Sequence, residues 1–150
     1  MKKVFASLTL IAALVFIGAE VKAQSNEKAA IEKLIFTYQD ALNASDANKV
    51  VALYTQNGVL MANAAPTAEG AAAVKGTYQY VFDNFTYNLK FSVLEVVVKG
   101  NTAFARSTSK GSFVIKSSGQ SLPDENRELF VFEKVKGEWK IARYMYNKTK

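Results

Sequence analysis

The chain has 150 residues with 19 lysines and arginines against 13 acidic residues, a net charge of +6, and contains neither histidine nor cysteine. Without cysteine it forms no disulfide, and without histidine it lacks the Ser-His-Asp and Cys-His catalytic arrangements and imidazole metal sites, so we expect no metal and no cofactor. The cations are spread along the sequence rather than clustered among aromatic residues, which argues against a nucleic-acid partner.

The amino terminus carries the pattern of an export signal. Two lysines precede an apolar run over residues 4–19, and short side chains follow at Val21 and Ala23. A permanent membrane anchor is the alternative, but the run of 16 residues is shorter than the roughly 20 that span a bilayer. We therefore expect a signal peptide at residues 1–23 and one domain at 24–150, which is periplasmic or secreted from a bacterium and leaves the membrane after cleavage.

Three helices are predicted in the first part of that domain. Apolar side chains recur at three- and four-residue steps over residues 27–42, which predicts an amphipathic helix that opens near Ser25. Asp46 precedes a second run at 47–54, where its carboxylate can accept hydrogen bonds from free backbone N–H groups, so capping is favoured over catalysis. Residues 71–85 repeat the helical spacing and predict a third helix.

The remainder of the chain has the pattern of strands joined by turns. Asn57-Gly58 predicts a turn into a short strand at 59–62, and Gly111 inside a later strand suggests a bulge. Helices followed by strands favour an α+β class, in which the helices cover one face of an antiparallel sheet. The long β-rich runs are 87–98, 102–115, 128–135 and 138–146.

Several local phrases, in this order, resemble the nuclear transport factor 2-like superfamily. They are residues 38–46 (YQDALNASD), 51–54 (VALY), 100–103 (GNTA), 127–132 (RELFVF) and 137–144 (GEWKIARY). The resemblance implies a cone-shaped curved antiparallel sheet with three N-terminal helices on its concave face. The closing segment most resembles the SnoaL-like group, so residues 24–150 are identified as a SnoaL-like domain. This superfamily includes ketosteroid isomerase and scytalone dehydratase, and one fold serves many activities.

The same resemblance suggests two catalytic candidates. Tyr38 matches the tyrosine that holds an oxyanion in the isomerase branch, and Glu128 falls where that branch places a late acid. The position of its catalytic base falls on or beside Ala62, where no side chain can take a proton from carbon, so we expect that reaction to be absent. Tyr38 as a core aromatic remains an alternative, as does Glu128 in an ion pair with Arg106 or Arg143.

Strand alternation limits which side chains share a face. Glu128 shares its face with Asn126, Phe130 and Phe132, whereas the strand at 102–115 has two faces that alternation alone cannot assign to the cavity. One carries Phe104, Arg106 and Thr108, and the other carries Ala103, Ala105, Ser107 and Ser109. On the last strand, alternation sets Trp139, Ile141 and Met145 opposite Tyr144 and Tyr146, so we expect an apolar outer face and a homodimer.

Three functions are compatible with this sequence. The first is binding of a small hydrophobic or aromatic molecule in an apolar cavity. The second is an isomerase, dehydratase or hydrolase that uses Glu128 and Tyr38. The third is a homo-oligomeric assembly module whose pocket is vestigial. The predicted ligand-binding residues are Tyr54, Met61, Phe82, Arg106, Asn126, Phe130 and Tyr144.

Overall fold

The computed structural model describes residues 4–149, and it describes side chains for residues 24–149. The expected signal peptide, residues 1–23, lies outside the residues whose side chains are described. No helix in the described part of the chain combines the length and the hydropathy needed to cross a membrane. The elements are α1 Val4–Asn43, α2 Ala47–Ala52, β1 Tyr54–Met61, β2 Ala68–Glu69, α3 Gly70–Asn84, β3 Phe85–Lys99, β4 Thr102–Ile115, β5 Ser121–Val135 and β6 Glu138–Lys148.

The strands form one curved, open sheet in the order β2-β1-β6-β5-β4-β3, which confirms the α+β class. The sheet is not wholly antiparallel as predicted, because β1 pairs with β6 in parallel. The helices cover its concave face, with α1 packed on β3 and α3 packed on β1. Between these layers lie the fully buried side chains of Ile31, Ile35, Val74, Phe130 and Phe132.

Side chains of α1 complete the hydrogen bonding of β3, which is an edge strand. Asn43 accepts from the backbone N–H of Leu89 at 2.9 Å and donates to its carbonyl at 2.8 Å. Gln39 accepts from the N–H of Phe91 at 2.8 Å. An exposed strand edge would leave these groups unpaired, so α1 protects the edge and its position along β3 is fixed.

The predicted cap at Asp46 is confirmed, since its carboxylate accepts from the backbone N–H of Lys49 at 2.9 Å. The predicted turn at Asn57-Gly58 is wrong, because both residues lie inside β1, where the pairing with β6 shifts register. The strand containing Glu128 begins at Ser121 rather than at 128. Pro123 is tolerated there because β6 pairs with β5 only from Asn126 onward.

Bulges occur at other places than the one predicted. Gly111 pairs in unbroken register with Leu89, whereas the register shifts between Val93 and Glu95 and again between Val131 and Phe132. Glycine is required at 111 for a different reason: a Cβ atom there would stand 1.9 Å from the carbonyl oxygen of Asn88. The position therefore permits a close approach of β3 to β4.

The second bulge corrects the predicted faces of β6. It inserts Ala142 between Ile141 and Arg143, so Trp139 and Ile141 point inward together with Tyr144 instead of opposite to it. An extra residue reverses the alternation on one side of the bulge. The outer face still carries partly exposed apolar side chains, contributed by Phe104, Leu129 and Met145 at 39%, 39% and 37% exposure.

Candidate functional site

A cavity of about 900 Å³ lies between the concave face of the sheet and the helices. Most of its wall is apolar or aromatic, with contributions from α1, α3 and the loop after β1. A contiguous polar part of the wall is built from β4, β5 and the end of β6. A large apolar cavity with a few convergent polar groups is the usual form of a small-molecule site. The polar wall consists of Ser109, Asp124, Asn126, Glu128 and Lys148.

Glu128 lies at the centre of this polar wall. The inward alternation of β5 buries its side chain to 4% exposure, and its cross-strand neighbour Ser107 donates a hydrogen bond to Oε2 at 3.2 Å. The structure thus resolves which face of β4 is inward, because Ser107 and Ser109 are buried beside Glu128. The inward face is the one that carries small side chains.

Burial raises the pKa of Glu128 to about 7. Hydrogen bonds with the hydroxyls of Ser109, Ser107 and Tyr144 oppose this rise, while the carboxylate of Asp124 adds to it. Near neutral pH the side chain therefore exists both as a neutral acid and as a carboxylate. The first form can donate a hydrogen bond or a proton to a ligand, and the second can accept a proton.

The predicted ion-pair alternative for Glu128 is wrong. Arg106 points to the outer face and contacts Glu95, with 3.4 Å between the two side chains. Arg143 donates to the backbone carbonyls of Asn57 and Ala142. Among residues 24–149, no lysine or arginine forms an ion pair with Glu128.

Next to the acid lies a chain of tyrosine hydroxyls. The hydroxyl of Tyr78 is 2.7 Å from that of Tyr38 and 3.0 Å from that of Tyr54. The ring of Tyr38 also packs against Tyr144, with 5.3 Å between the ring centres. Burial holds the pKa of Tyr38 well above its usual value, so its hydroxyl keeps its proton. Tyr38 is a core aromatic that also lines the cavity, and its role as a hydrogen-bond donor to a ligand stays a prediction.

The polar wall continues from Glu128 toward the end of β6. Asn126 donates through Nδ2 to Ser109 Oγ at 3.2 Å and to Asp124 Oδ2 at 3.1 Å. Asp124 Oδ1 is in turn 3.1 Å from Lys148 Nζ. Sequence reasoning missed Asp124, although it stands two residues before Asn126 on the same face, because the strand was predicted to start at Glu128.

The structure brings four of the nine predicted site residues onto the cavity. These are Tyr38, Glu128, Asn126 and Tyr144. Three others lie buried behind the wall: Tyr54 bonds to Tyr78, Phe82 packs against Tyr78, and Phe130 lies beneath Tyr38 and Tyr144.

The remaining two predicted residues, Met61 and Arg106, are corrections. Met61 pairs with outward-facing Met145, so its neighbour Leu60 lines the cavity instead. Arg106 lies on the outward face of β4, as its pairing with Glu95 shows. The cavity also contains Tyr78, which sequence analysis placed in the third helix without assigning it to the site.

The wall at the predicted base position carries no proton acceptor of suitable strength. Ala62 and Asn63 both line the cavity there, as the spacing predicts. The acids that reach the cavity, among the residues with described side chains, are Glu128 and Asp124 on β5. No group of three or more acidic side chains in this part of the chain is placed to hold a metal ion.

Comparisons with known proteins agree with this fold. The family model of the SnoaL-like domain matches residues 36–144. A crystal structure of a ketosteroid isomerase-like protein from Erwinia carotovora atroseptica is 34% identical, with a TM-score of 0.78 over 81% of this chain and 95% of that one. Among the curated proteins, none matches the sequence.

Two more distant structures share the fold alone. One is a proposed scytalone dehydratase from Novosphingobium aromaticivorans, 20% identical, with a TM-score of 0.75 over 87% of this chain and 89% of that one. The other is a nuclear transport factor 2-like protein with a cystatin-like fold from the same organism, 21% identical, with a TM-score of 0.71 over 91% and 90%. This chain belongs to the SnoaL-like domain family of the nuclear transport factor 2-like superfamily.

Proposed function

We propose that the cavity binds a small, largely apolar molecule and that Glu128 forms a hydrogen bond with a carbonyl or hydroxyl group of that molecule. The observation that carries this proposal is the position of Glu128, a buried carboxyl on the wall of an otherwise mainly apolar cavity of about 900 Å³. A buried carboxyl without a cation is costly. A ligand group that pairs with it offsets part of that cost. Export through the segment at 1–23 is part of the same proposal.

A second candidate is proton-transfer catalysis of the isomerase, dehydratase or hydrolase kind. It is favoured by the pKa of about 7 at Glu128, since a group that titrates near the working pH is an efficient general acid or base. The fully protonated hydroxyl of Tyr38 stands beside the same wall. The two candidates differ in one readout: in an enzyme, Glu128→Gln abolishes turnover, whereas in a binding protein it changes affinity alone.

Narrowing the cavity should remove ligand binding without harm to the fold. Gly76 on α3 is an exposed residue that lines the cavity, and a Cβ atom there meets no other atom within 4 Å. We expect Gly76→Phe to weaken binding of 2-naphthol at least tenfold, measured by calorimetry. The free energy of unfolding should stay within about 1 kcal/mol, because glycine is the poorer helix former.

The matched control is Gln79→Phe, which adds the same ring on the exposed side of α3, away from the cavity lining. It should leave the affinity for 2-naphthol unchanged. Equal affinity in the Gly76 variant and in the control would place the bound molecule elsewhere. If the unmodified protein does not bind 2-naphthol or any similar apolar molecule, the binding function itself fails.

We also propose that the outer face of the sheet mediates a homodimer. The cross-strand pairing sets Leu129 beside Met145 and Phe104 beside Val131, so apolar side chains form a continuous patch over β4, β5 and β6. Light scattering at micromolar concentration should give twice the monomer mass, and Leu129→Arg should halve it while the melting temperature falls. A monomer mass for the unmodified protein would contradict the dimer, and an unchanged mass in Leu129→Arg would locate it on another face.

A further inference from the structure

Three polar side chains stand in a row on the inward face of β5. Asp124, Asn126 and Glu128 follow at two-residue steps and are exposed by only 6%, 3% and 4%. Hydrogen bonds join the first two directly and connect Asn126 to Ser109, while Glu128 accepts from Ser107, two residues from Ser109 on the same face of β4. The row is therefore one contiguous strip, which we call the β5 strip, defined by Asp124, Asn126 and Glu128.

The amide orientation of Asn126 is fixed by its neighbours. Its Nδ2 is within hydrogen-bond distance of Asp124 Oδ2, and a carboxylate can only accept, so the donor end must point there. The second N–H goes to Ser109. No group among residues 24–149 donates to Oδ1, which is buried. A buried acceptor without a donor is costly, and a ligand O–H or N–H group would satisfy it once a small side-chain shift opens this oxygen to the cavity.

Charge at the cavity wall disfavours an anionic ligand. Among the described lining residues, the charged side chains are Asp124, Glu128 and Lys148. Lys148 is matched by Asp124 at 3.1 Å, and its ammonium group lies 4.9 Å from the ring centre of Phe113. A bound carboxylate would thus find no unmatched cation, and the ionised form of Glu128 would repel it.

We propose that the β5 strip selects an uncharged ligand that carries a hydroxyl or N–H donor, with Asn126 Oδ1 as the acceptor, and excludes carboxylates. Asn126 is then a specificity-determining residue, and Asp124 acts by holding the Asn126 amide and by neutralising Lys148. This inference rests on the proposed binding function and names the ligand class of the same site. Hydroxylated aromatic and alicyclic molecules fit this class.

Calorimetry with three matched probes tests the inference: naphthalene, 2-naphthol and 2-naphthoate at pH 7, in both the unmodified protein and Glu128→Gln. We expect 2-naphthol to bind about tenfold tighter than naphthalene, since one good hydrogen bond to a buried acceptor has roughly that effect. We expect 2-naphthoate to bind at least tenfold more weakly than naphthalene. The affinities measured in Glu128→Gln show how much of the preference among the three probes comes from Asn126 and Asp124.

Two variants locate the effect, and the readout in each is a ratio of affinities. Asn126→Leu should reduce the ratio of 2-naphthol to naphthalene affinity to below about twofold. Asp124→Asn leaves Lys148 unmatched and should raise the relative affinity for 2-naphthoate at least tenfold. If either variant fails to fold, the affinity ratios of the three probes in the unmodified protein test the inference.

Equal affinities for 2-naphthol and naphthalene, or tighter binding of 2-naphthoate, would overturn the inference while the binding function stands. If none of the three probes binds, the proposed function itself fails. Unchanged ratios in Asn126→Leu would show that the preference arises from another residue, and the assignment to the β5 strip would be wrong.

Discussion

Glu128→Gln should stabilise the folded protein at alkaline pH and leave its stability nearly unchanged at pH 4.5. The pKa of Glu128 is about 7 in the folded protein against an ordinary value of 4.5. The folded state therefore holds the proton more tightly, and the wild-type protein loses stability as pH rises from about 4.5 through 7. The loss at pH 8 is about 3 kcal/mol, at 1.36 kcal/mol per pKa unit, and glutamine avoids it because it is never charged.

The measurement is chemical denaturation of both proteins between pH 4.5 and 8.5. A difference in the free energy of unfolding that grows with pH is due to Glu128, because the other titrating groups are common to both proteins. A matched control is Glu133→Gln on the exposed side of the same strand, whose effect should stay within about 0.5 kcal/mol at every pH. A Glu128 variant that is less stable at pH 8 would refute the account of its burial. The groups that interact with Glu128 through charge or hydrogen bonding are Ser107, Ser109, Asp124, Tyr38, Tyr54, Tyr144 and Tyr146.

Gly111→Ala should destabilise the protein by about 3 kcal/mol. The added methyl group would stand 1.9 Å from the carbonyl oxygen of Asn88 and 3.1 Å from the Cα of Leu89, both on β3. These are backbone atoms, so the clash is relieved only if the two strands separate and their hydrogen bonds weaken. Thermal or denaturant unfolding gives the loss directly.

The same substitution at Gly76 is the control, because its Cβ atom meets nothing within 4 Å. Gly76→Ala should raise stability by up to about 1 kcal/mol, since alanine is the better helix former. The two variants thus carry the same change in unfolded-state entropy and should shift stability in opposite directions. An equal effect of both substitutions would show that strands β3 and β4 do not approach as closely as described.

Much of the polar wall could be predicted from strand alternation alone. Asn126, Glu128, Phe130 and Phe132 were assigned to one face of a strand, and all four are buried on the concave side. Asp124 obeys the same rule and was missed because the strand was predicted to start at 128, whereas it begins at Ser121 and continues through Pro123. A proline is compatible with a strand that has a hydrogen-bonded neighbour on one side only. Whether β5 has one neighbour or two at Pro123 depends on where β6 ends.

The sequence does not reveal where alternation breaks. A bulge adds one residue to a strand, and nothing about an alanine at position 142 marks it as the extra residue. The predicted outer face of β6 was therefore wrong at Trp139 and Ile141, whereas Met145, beyond the bulge, was assigned correctly. Arg106 shows a related limit. The alternation of side chains along a strand separates the two faces of β4 but does not show which face points inward.

Contacts between distant elements were also beyond the sequence. The hydroxyls of Tyr38, Tyr54 and Tyr78 meet although the residues belong to α1, β1 and α3. Helical spacing places Tyr78 on an apolar stripe, where a tyrosine and a phenylalanine are equally expected. Its role at the centre of the hydroxyl chain becomes visible only when the three elements are packed together.

The most direct test of the central claim is a ¹³C NMR titration of the Glu128 side-chain carboxyl, with the resonance assigned by its absence in Glu128→Gln. Burial on the cavity wall predicts a midpoint of about 7. Binding of 2-naphthol should shift that midpoint further upward if the protonated acid donates to the ligand. A midpoint near 4.5, the ordinary value for glutamate, would show that Glu128 is solvated or paired with a cation, and the account of the cavity acid would be wrong.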